Sequence, residues 1–259
     1  MLVVGASGYV GSAVARNAVK LGINTVCVSR RGEPGSYPLR SPLVRWVKGD
    51  AMFPGKFSEE LAKADGVVHT IGTLIDTTVT KGKKPGDEGS YEQMNYETAK
   101  RVGDALQELK ADKKIVYISA NMHPPLLPRY LETKHKAENY LNSLPNVRST
   151  ALRPGFIVSR DQRAWSVPLS HLLRVNNILI GGVSSLVPKG KARELLSSLD
   201  TGNSVDLDDV ALAAIYNVYS KEFDGQALDV KQIEACRRVF EQNGFRIDEG
   251  RAFYSPPKH

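Results

Sequence analysis

Cysteine is almost missing from this chain. Cys27 and Cys236 are the only two in 259 residues, which excludes a disulfide framework and a CxxC metal site. Cys27 lies in an apolar, strand-like run where a thiol packs as a small hydrophobe, so a reducing compartment is expected. Histidine is equally poor in metal chemistry: His69, His123, His135 and His171 show no ligand spacing, and no metal is expected. Long hydrophobic runs are lacking too. The most apolar stretch, Trp165 to Pro188, is interrupted by His171, Arg174, Asn176 and Asn177, which excludes a plain spanning helix. It reads as core of a small lobe, with docking against a partner or membrane surface as the alternative. No targeting segment precedes the first strand. Only MLVV stands before Gly5, short for a central strand, so a trimmed N-terminus is expected, its address signal removed.

Acidic residues are outnumbered, 28 against 35 Lys plus Arg, for a net charge of +7. Such a surplus attracts nucleic acid or anionic lipid where it is concentrated. Here it is scattered: Lys81-Gly82-Lys83-Lys84 and Lys110 to Lys114 are short, and the second contains Asp112. No specific nucleic-acid partner is expected. With 41% hydrophobic and 24% charged residues, the chain has the composition of an ordinary folded α/β domain.

Strand and helix periodicities alternate along it. Leu2 to Val4 reads as a buried strand, and Val10, Val14, Ala18 and Leu21 recur at helical spacing until Gly22. Strands are expected at Thr25 to Val28, Val44 to Val47, Gly66 to Ile71, Lys114 to Ser119 and Thr150 to Arg153. Helices are expected at Phe57 to Ala64, Tyr91 to Leu109 and about Arg129 to Leu144. A polar loop from Asp76 to Ser90 has no periodicity. Beyond Pro154 the pattern loosens, leaving a helix from Asp208 to Tyr219 and a late strand at Ala227 to Val230. The fold class is α/β: a Rossmann-like doubly wound parallel sheet with a small C-terminal lobe. Residues 1–155 form the nucleotide-binding part, and 156–259 the lobe and closing elements.

The first strand runs straight into GASGYVG, with Gly5, Gly8 and Gly11 three apart, and then into a helix. That is the context of a dinucleotide fingerprint: glycines allow the turn and the backbone's approach to a pyrophosphate, and free helix amides face the phosphates. NAD-preferring folds place an acid at the end of the second strand. This chain has VSRRG there, with Ser29, Arg30 and Arg31. A guanidinium fork suits a 2′-phosphate, so NADP (NADPH) is expected over NAD. Asp50, in KGDA, either caps the adenine amino group or holds a turn.

The G-x-x-G-x-x-G spacing resembles the extended and atypical short-chain dehydrogenase/reductases. So do VVHTIG (Val67 to Gly72), YEQMN with Asn95, VYISA, Tyr130-Leu-Glu-Thr-Lys134, LRPGFI (Leu152 to Ile157) and VDLDDVALA (Val205 to Ala213). Together they span roughly residues 1 to 220. The resemblance implies cofactor contacts from Gly5, Ser7, Gly8, Tyr9, Val10 and Gly11 at the turn, and from Ser29, Arg30 and Arg31. It adds Asp50 and Ala51 after the third strand, and Thr70, Ile71 and Gly72 after the fourth. Asn95, Ser119, Tyr130, Lys134, Pro154 and Gly155 complete the set.

Tyr130 and Lys134 are four apart, on one helix face. A nearby ammonium favours the phenolate, so a lowered tyrosine pKa is expected, with the pair exchanging the substrate's proton during hydride transfer. The family's substrate-orienting Ser or Thr is replaced: the equivalent position is Asn121, with Ser119 inside the strand end. An amide donates a hydrogen bond but cannot relay a proton. The longer stretches YISANMHPPLLPRYLETKHKAE and RPGFIVSRDQRA resemble a mitochondrial atypical branch of the superfamily, associated with coenzyme Q biosynthesis and with the nucleotide-binding accessory subunit of respiratory complex I. That resemblance implies a structural or regulatory NADP(H), a location on the matrix side of the inner membrane, and partners among subunits of a membrane-associated complex, with lipid or quinone beside them. The alternative is an active NADPH-dependent oxidoreductase on a hydrophobic or quinone-related carbonyl.

Overall fold

The computed structural model describes residues 1–35, 39, 41–74, 76, 84–121, 128–158, 204–242, 245–248 and 251–254. Its centre is a run of strands apolar on both faces, which has to be covered on both sides. These are β1 (Leu2–Val4), β2 (Thr25–Ser29), β3 (Val44–Lys48), β4 (Gly66–His69), β5 (Lys113–Ile118), β6 (Val147–Leu152) and the two-residue β9 (Ala227–Leu228). They form one 7-stranded parallel sheet in the order β3-β2-β1-β4-β5-β6-β9.

Strand alternation divides the core in two. Val3, Cys27, Val68 and Val116 point to the side covered by α1 (Tyr9–Lys20) and α5 (Leu207–Tyr219). Leu2, Val4, Val67, Ile115 and Tyr117 point to the other, against α2 (Ser58–Lys63), α3 (Thr98–Glu108) and α4 (Pro128–Asn142). Asp206 caps α5 by accepting from the Asp208 amide at 2.8 Å. Asp208 in turn accepts from Asn17 Nδ2 of α1 at 2.8 Å, joining two helices 191 residues apart. Both cysteines are buried. Burial pushes the Cys27 thiol up to about 12, as befits a small hydrophobe.

Strand β6 spans Val147–Leu152 where Thr150 to Arg153 is expected, and three further segments differ from the expectation. Strand β4 stops at His69, after which the Thr70 amide and hydroxyl both donate to the Val4 carbonyl, each at 2.9 Å. The long helix begins as a π-helical segment, Glu92–Glu97, before α3. Wide turns of this kind often accompany functional sites. Val230 belongs not to a strand but to α6 (Val230–Gln242), whose buried stripe is Val230, Ile233, Cys236 and Phe240. Beyond the main sheet, β7 (Phe156–Val158) pairs with β8 (Ser204–Asp206), and β10 (Phe245–Asp248) with β11 (Arg251–Tyr254). Trp165 to Pro188, His123, His171 and Lys81 to Lys83 lie outside the described residues. Among the described residues no helix is long and apolar enough to cross a membrane.

The basic run at Lys110 to Lys114 is partly internal. Lys114 has no exposed surface; its ammonium donates to Thr150 Oγ1 at 2.6 Å and pairs with Asp224, which also takes Arg148 at 3.2 Å. Lys113 donates to the carbonyls of Ala62 and Ala64.

Because α5 covers one face of the sheet together with α1, truncating its fully buried Ile215 to alanine should cost about 2–5 kcal/mol. Denaturant unfolding measures this, and a loss below ~1 kcal/mol would mean the helix is peripheral.

Candidate functional site

The strand order turns back at β1, so the segments that leave the C-terminal ends of β1 and β4 run to opposite faces of the sheet and leave a crevice. It is a cleft of about 510 Å³ lined by the β1–α1 turn (Gly5, Ser7, Gly8), the ends of β2 and β3, the Thr70–Gly72 segment and the π-helical segment. Gly5 has φ +86°, and a Cβ on it would lie 2.8 Å from Thr70 Oγ1 and 2.9 Å from Ile71 Cγ1. At Gly11 a Cβ would lie 2.4 Å from the Gly5 carbonyl oxygen. Glycine is therefore required at both positions. The Gly5 and Ala6 amides donate to Val28 O, which pins the turn to β2. No side chain caps α1 at Gly8, and no acid stands in its first turn, so the amide end with its partial positive charge is presented to the turn. The side chains of Tyr9 and Val10 pack on the core instead. This cradle fits a dinucleotide's pyrophosphate.

At the adenosine end, Arg30 lines the cleft and Arg31 is exposed next to it. Ser29 lines it as well, but its hydroxyl donates to Gly32 O at 2.5 Å, closing the β2 turn. Ala51 is buried in the wall. Asp50 holds a turn: its Oδ1 accepts from the Met52 amide at 2.9 Å. Met52 and Phe53, which sequence reasoning missed, line the same end.

Behind Gly72, at the edge of the cleft but not lining it, sits Lys134. Its ammonium donates to the Ile118 carbonyl at 2.8 Å and sits 4.9 Å from the Tyr117 ring centroid. A Cβ on Gly72 would lie 2.6 Å from its Nζ. Asn95 is fully buried in the π-helical segment. Its Oδ1 accepts from the Thr73 amide at 2.8 Å, its Nδ2 donates to Thr133 Oγ1 at 3.3 Å, and its carbonyl accepts from Tyr117 at 2.7 Å. It ties the β4 loop, α4 and β5 together. Burial brings the Lys134 pKa down to about 7, opposed by Glu138. Burial, then Lys134, brings neighbouring His69 down to about 3, so this histidine stays neutral.

Tyr130 corrects an expectation. Burial, then the adjacent Tyr91 phenol, pushes it up to about 12, where the sequence suggests a lowered value. The ring packs edge-on against Tyr91, centroids 5.8 Å apart, while Lys134 spends its hydrogen bond on Ile118. Ser119 is buried just past β5, its hydroxyl without a hydrogen-bond partner among the described residues. Asn121 is exposed, and its backbone N–H donates to the carbonyl of buried Pro154 at 3.1 Å; Gly155 follows, partly buried. Two ion-pair sets surround these groups. Arg153 clasps buried Glu138 through Nε and Nη2, the closest contact 2.6 Å. Arg129 bridges Asp76 and Glu92 at 3.3 and 2.6 Å.

A family model described as NAD(P)H-binding matches residues 5–171. Among curated proteins, the chain is 27% identical to MIOREX complex component 2 of Saccharomyces cerevisiae, over 87% of this chain and 95% of that protein. It is 29% identical to an uncharacterized chloroplastic protein of Arabidopsis thaliana, over 87% of this chain and 73% of that one. Among solved structures, a short-chain dehydrogenase/reductase superfamily protein from Agrobacterium tumefaciens with bound NAD superimposes with a TM-score of 0.60. It shares 16% identity and covers 94% of this chain and 82% of its own, a likeness of fold.

Two outcomes are expected. Gly11→Ala should lose about 1–3 kcal/mol of stability, since the Gly5 carbonyl cannot yield to a new methyl; thermal and denaturant unfolding read this. Lys134 has a pKa of about 7 when folded against an ordinary 10.5. Below the folded value both states carry the proton, and burying the cation costs its full penalty. Between the two values the unfolded chain holds a proton that the folded one lacks, so stability rises with pH. Lys134→Met should therefore melt above the parent near pH 6, with the gap closing towards about pH 10. A gap that does not change with pH would mean that Lys134 is not its source.

Proposed function

Since the chain belongs to the NAD(P)H-binding family, with the short-chain dehydrogenase/reductase fold, we propose that it holds NADP(H) as a resident cofactor, without turnover, in a subunit of a mitochondrial assembly. The observation that carries this reading is a contrast: a full phosphate cradle lines the cleft, while Tyr130 and Lys134 do not line it, Lys134 lying buried behind Gly72 at its edge. Gly5, Gly8 and the start of α1 would hold the pyrophosphate, and Arg30 with Arg31 the 2′-phosphate. Lys134, next to Gly72, would meet the nicotinamide ribose. Tyr130 near 12 is a poor proton donor at neutral pH, and Asn121 replaces the hydroxyl beside it.

Membership of an assembly is supported by the yeast relative, which is named as a component of a complex. The mitochondrial placement, matrix side of the inner membrane, rests on the sequence resemblance; the Arabidopsis relative is named chloroplastic, another organelle. Whether the assembly serves coenzyme Q synthesis or complex I is decided by what co-purifies. Residues 1–155 are assigned to the nucleotide, and 156–259 to partner, lipid or quinone contacts as well as closing the fold.

A second reading, reduction of a hydrophobic or quinone-related carbonyl, draws on Tyr130 and Lys134 sharing α4 and on the buried hydroxyl of Ser119. The nicotinamide supplies hydride when bound; Tyr130 would pass its proton to the carbonyl oxygen, and Ser119 would orient that oxygen.

Calorimetry should find NADPH bound tighter than NADH. The double variant Arg30→Ala, Arg31→Ala should weaken NADPH by roughly tenfold or more and NADH much less. Purified protein should show no rate with quinone or aldehyde substrates, and Tyr130→Phe should keep cellular function. Turnover abolished by Tyr130→Phe would overturn the first reading in favour of the second.

A further inference from the structure

Phe53 leaves 59% of its surface exposed, and with Tyr219 it is one of two large hydrophobic residues so exposed among the described residues. Leaving such a ring in water forgoes a burial that is among the larger single contributions to stability. The exposure is also not a loose end. The Phe53 amide donates to Asp50 O at 2.8 Å, Asp50 Oδ1 fixes Met52, Pro54 opens a 3₁₀ turn, and the Lys56 amide donates to Phe53 O at 3.1 Å. A rigid turn built by Asp50 thus holds an apolar ring at the adenosine end of the cleft, in the same wall as Arg30 and Ala51. Lys56 Nζ lies over the ring, 5.7 Å from its centroid, and at 59% exposure the residue keeps open surface for a further partner.

We infer that Phe53 is the stacking platform for the adenine of the bound nucleotide, and that Asp50 acts through it as the positioning residue of that turn. The inference rests on the nucleotide-binding reading and deepens it. An exposed π-face recognises a flat purine without hydrogen bonds, which suits a wall whose carboxylate is already engaged with its own backbone. The class of ligand is an adenine nucleotide, and the contact distinguishes it from the nicotinamide half.

The test is calorimetric binding of NADPH, 2′,5′-ADP and reduced nicotinamide mononucleotide to the full chain, to Phe53→Ala and to Phe53→Trp. Removing a stacked aromatic should weaken NADPH and 2′,5′-ADP by about 5- to 100-fold. Tryptophan should restore both, and the mononucleotide should bind both variants as it binds the parent. If the parent binds NADPH and Phe53→Ala binds 2′,5′-ADP within about twofold of it, the platform is refuted and the nucleotide reading stands. An equal loss for the mononucleotide would make the effect structural and refute it too. If the parent binds neither NADPH nor 2′,5′-ADP, both inferences fall together.

Discussion

Where the Val4 carbonyl accepts two hydrogen bonds from Thr70, one from the amide and one from the hydroxyl, the ends of β1 and β4 are locked at the point where the sheet order turns back. That lock brings Thr70 against the glycine turn so closely that neither Gly5 nor Gly11 can carry a side chain. With the turn pinned from the other side by Val28 O, the start of α1 has one position available. α1 then rests on the sheet and on α5, so a contact at the cleft bears on how α5 packs. The phosphate cradle and the fold's stability are in this sense one constraint.

Burial governs Lys134 and Tyr130. Taking Lys134 out of water disfavours its charged form, and taking Tyr130 out of water disfavours the phenolate. The two effects oppose the tyrosinate–ammonium pair that proton transfer needs. Glu138, one turn beyond Lys134, favours the ammonium, yet its carboxylate is clasped by Arg153. A cation held by a main-chain carbonyl and an aromatic ring, with its nearest counter-charge already paired, is suited to holding a sugar hydroxyl. Driving chemistry asks for more.

Much of this was legible in the sequence, for a physical reason. Parallel strands covered on both faces read as continuous apolar runs, and Val102–Leu106 or Val210–Ala214 repeat at helical spacing because one face of each helix meets the sheet. The glycine triplet was legible because its spacing reflects backbone contact. What escaped depends on distant partners. The π-helical segment is associated with Asn95 being bonded on three sides, and no local pattern records that. α6 was missed although Val230, Ile233, Cys236 and Phe240 have helical spacing, because intervening Lys, Glu and Arg lower its mean apolarity. Tyr130 and Lys134 showed their shared face but not the depth of their burial, and depth sets their pKa values. Phe53 left no signal at all, since a single exposed aromatic has no period.

The same distinction explains the chain's charge. A net +7 suggests a basic surface, but many of the cations serve internal bonds: Lys113 on carbonyls, Lys114 and Arg148 on Asp224, Arg129 on Asp76 and Glu92, and Arg153 on Glu138. Most of these join elements far apart in sequence. Arg30 and Arg31 are different, exposed side by side where β2 ends and where folds that prefer the unphosphorylated cofactor keep a carboxylate. Two guanidinium groups side by side at one cleft attract a small polyanion at a defined place.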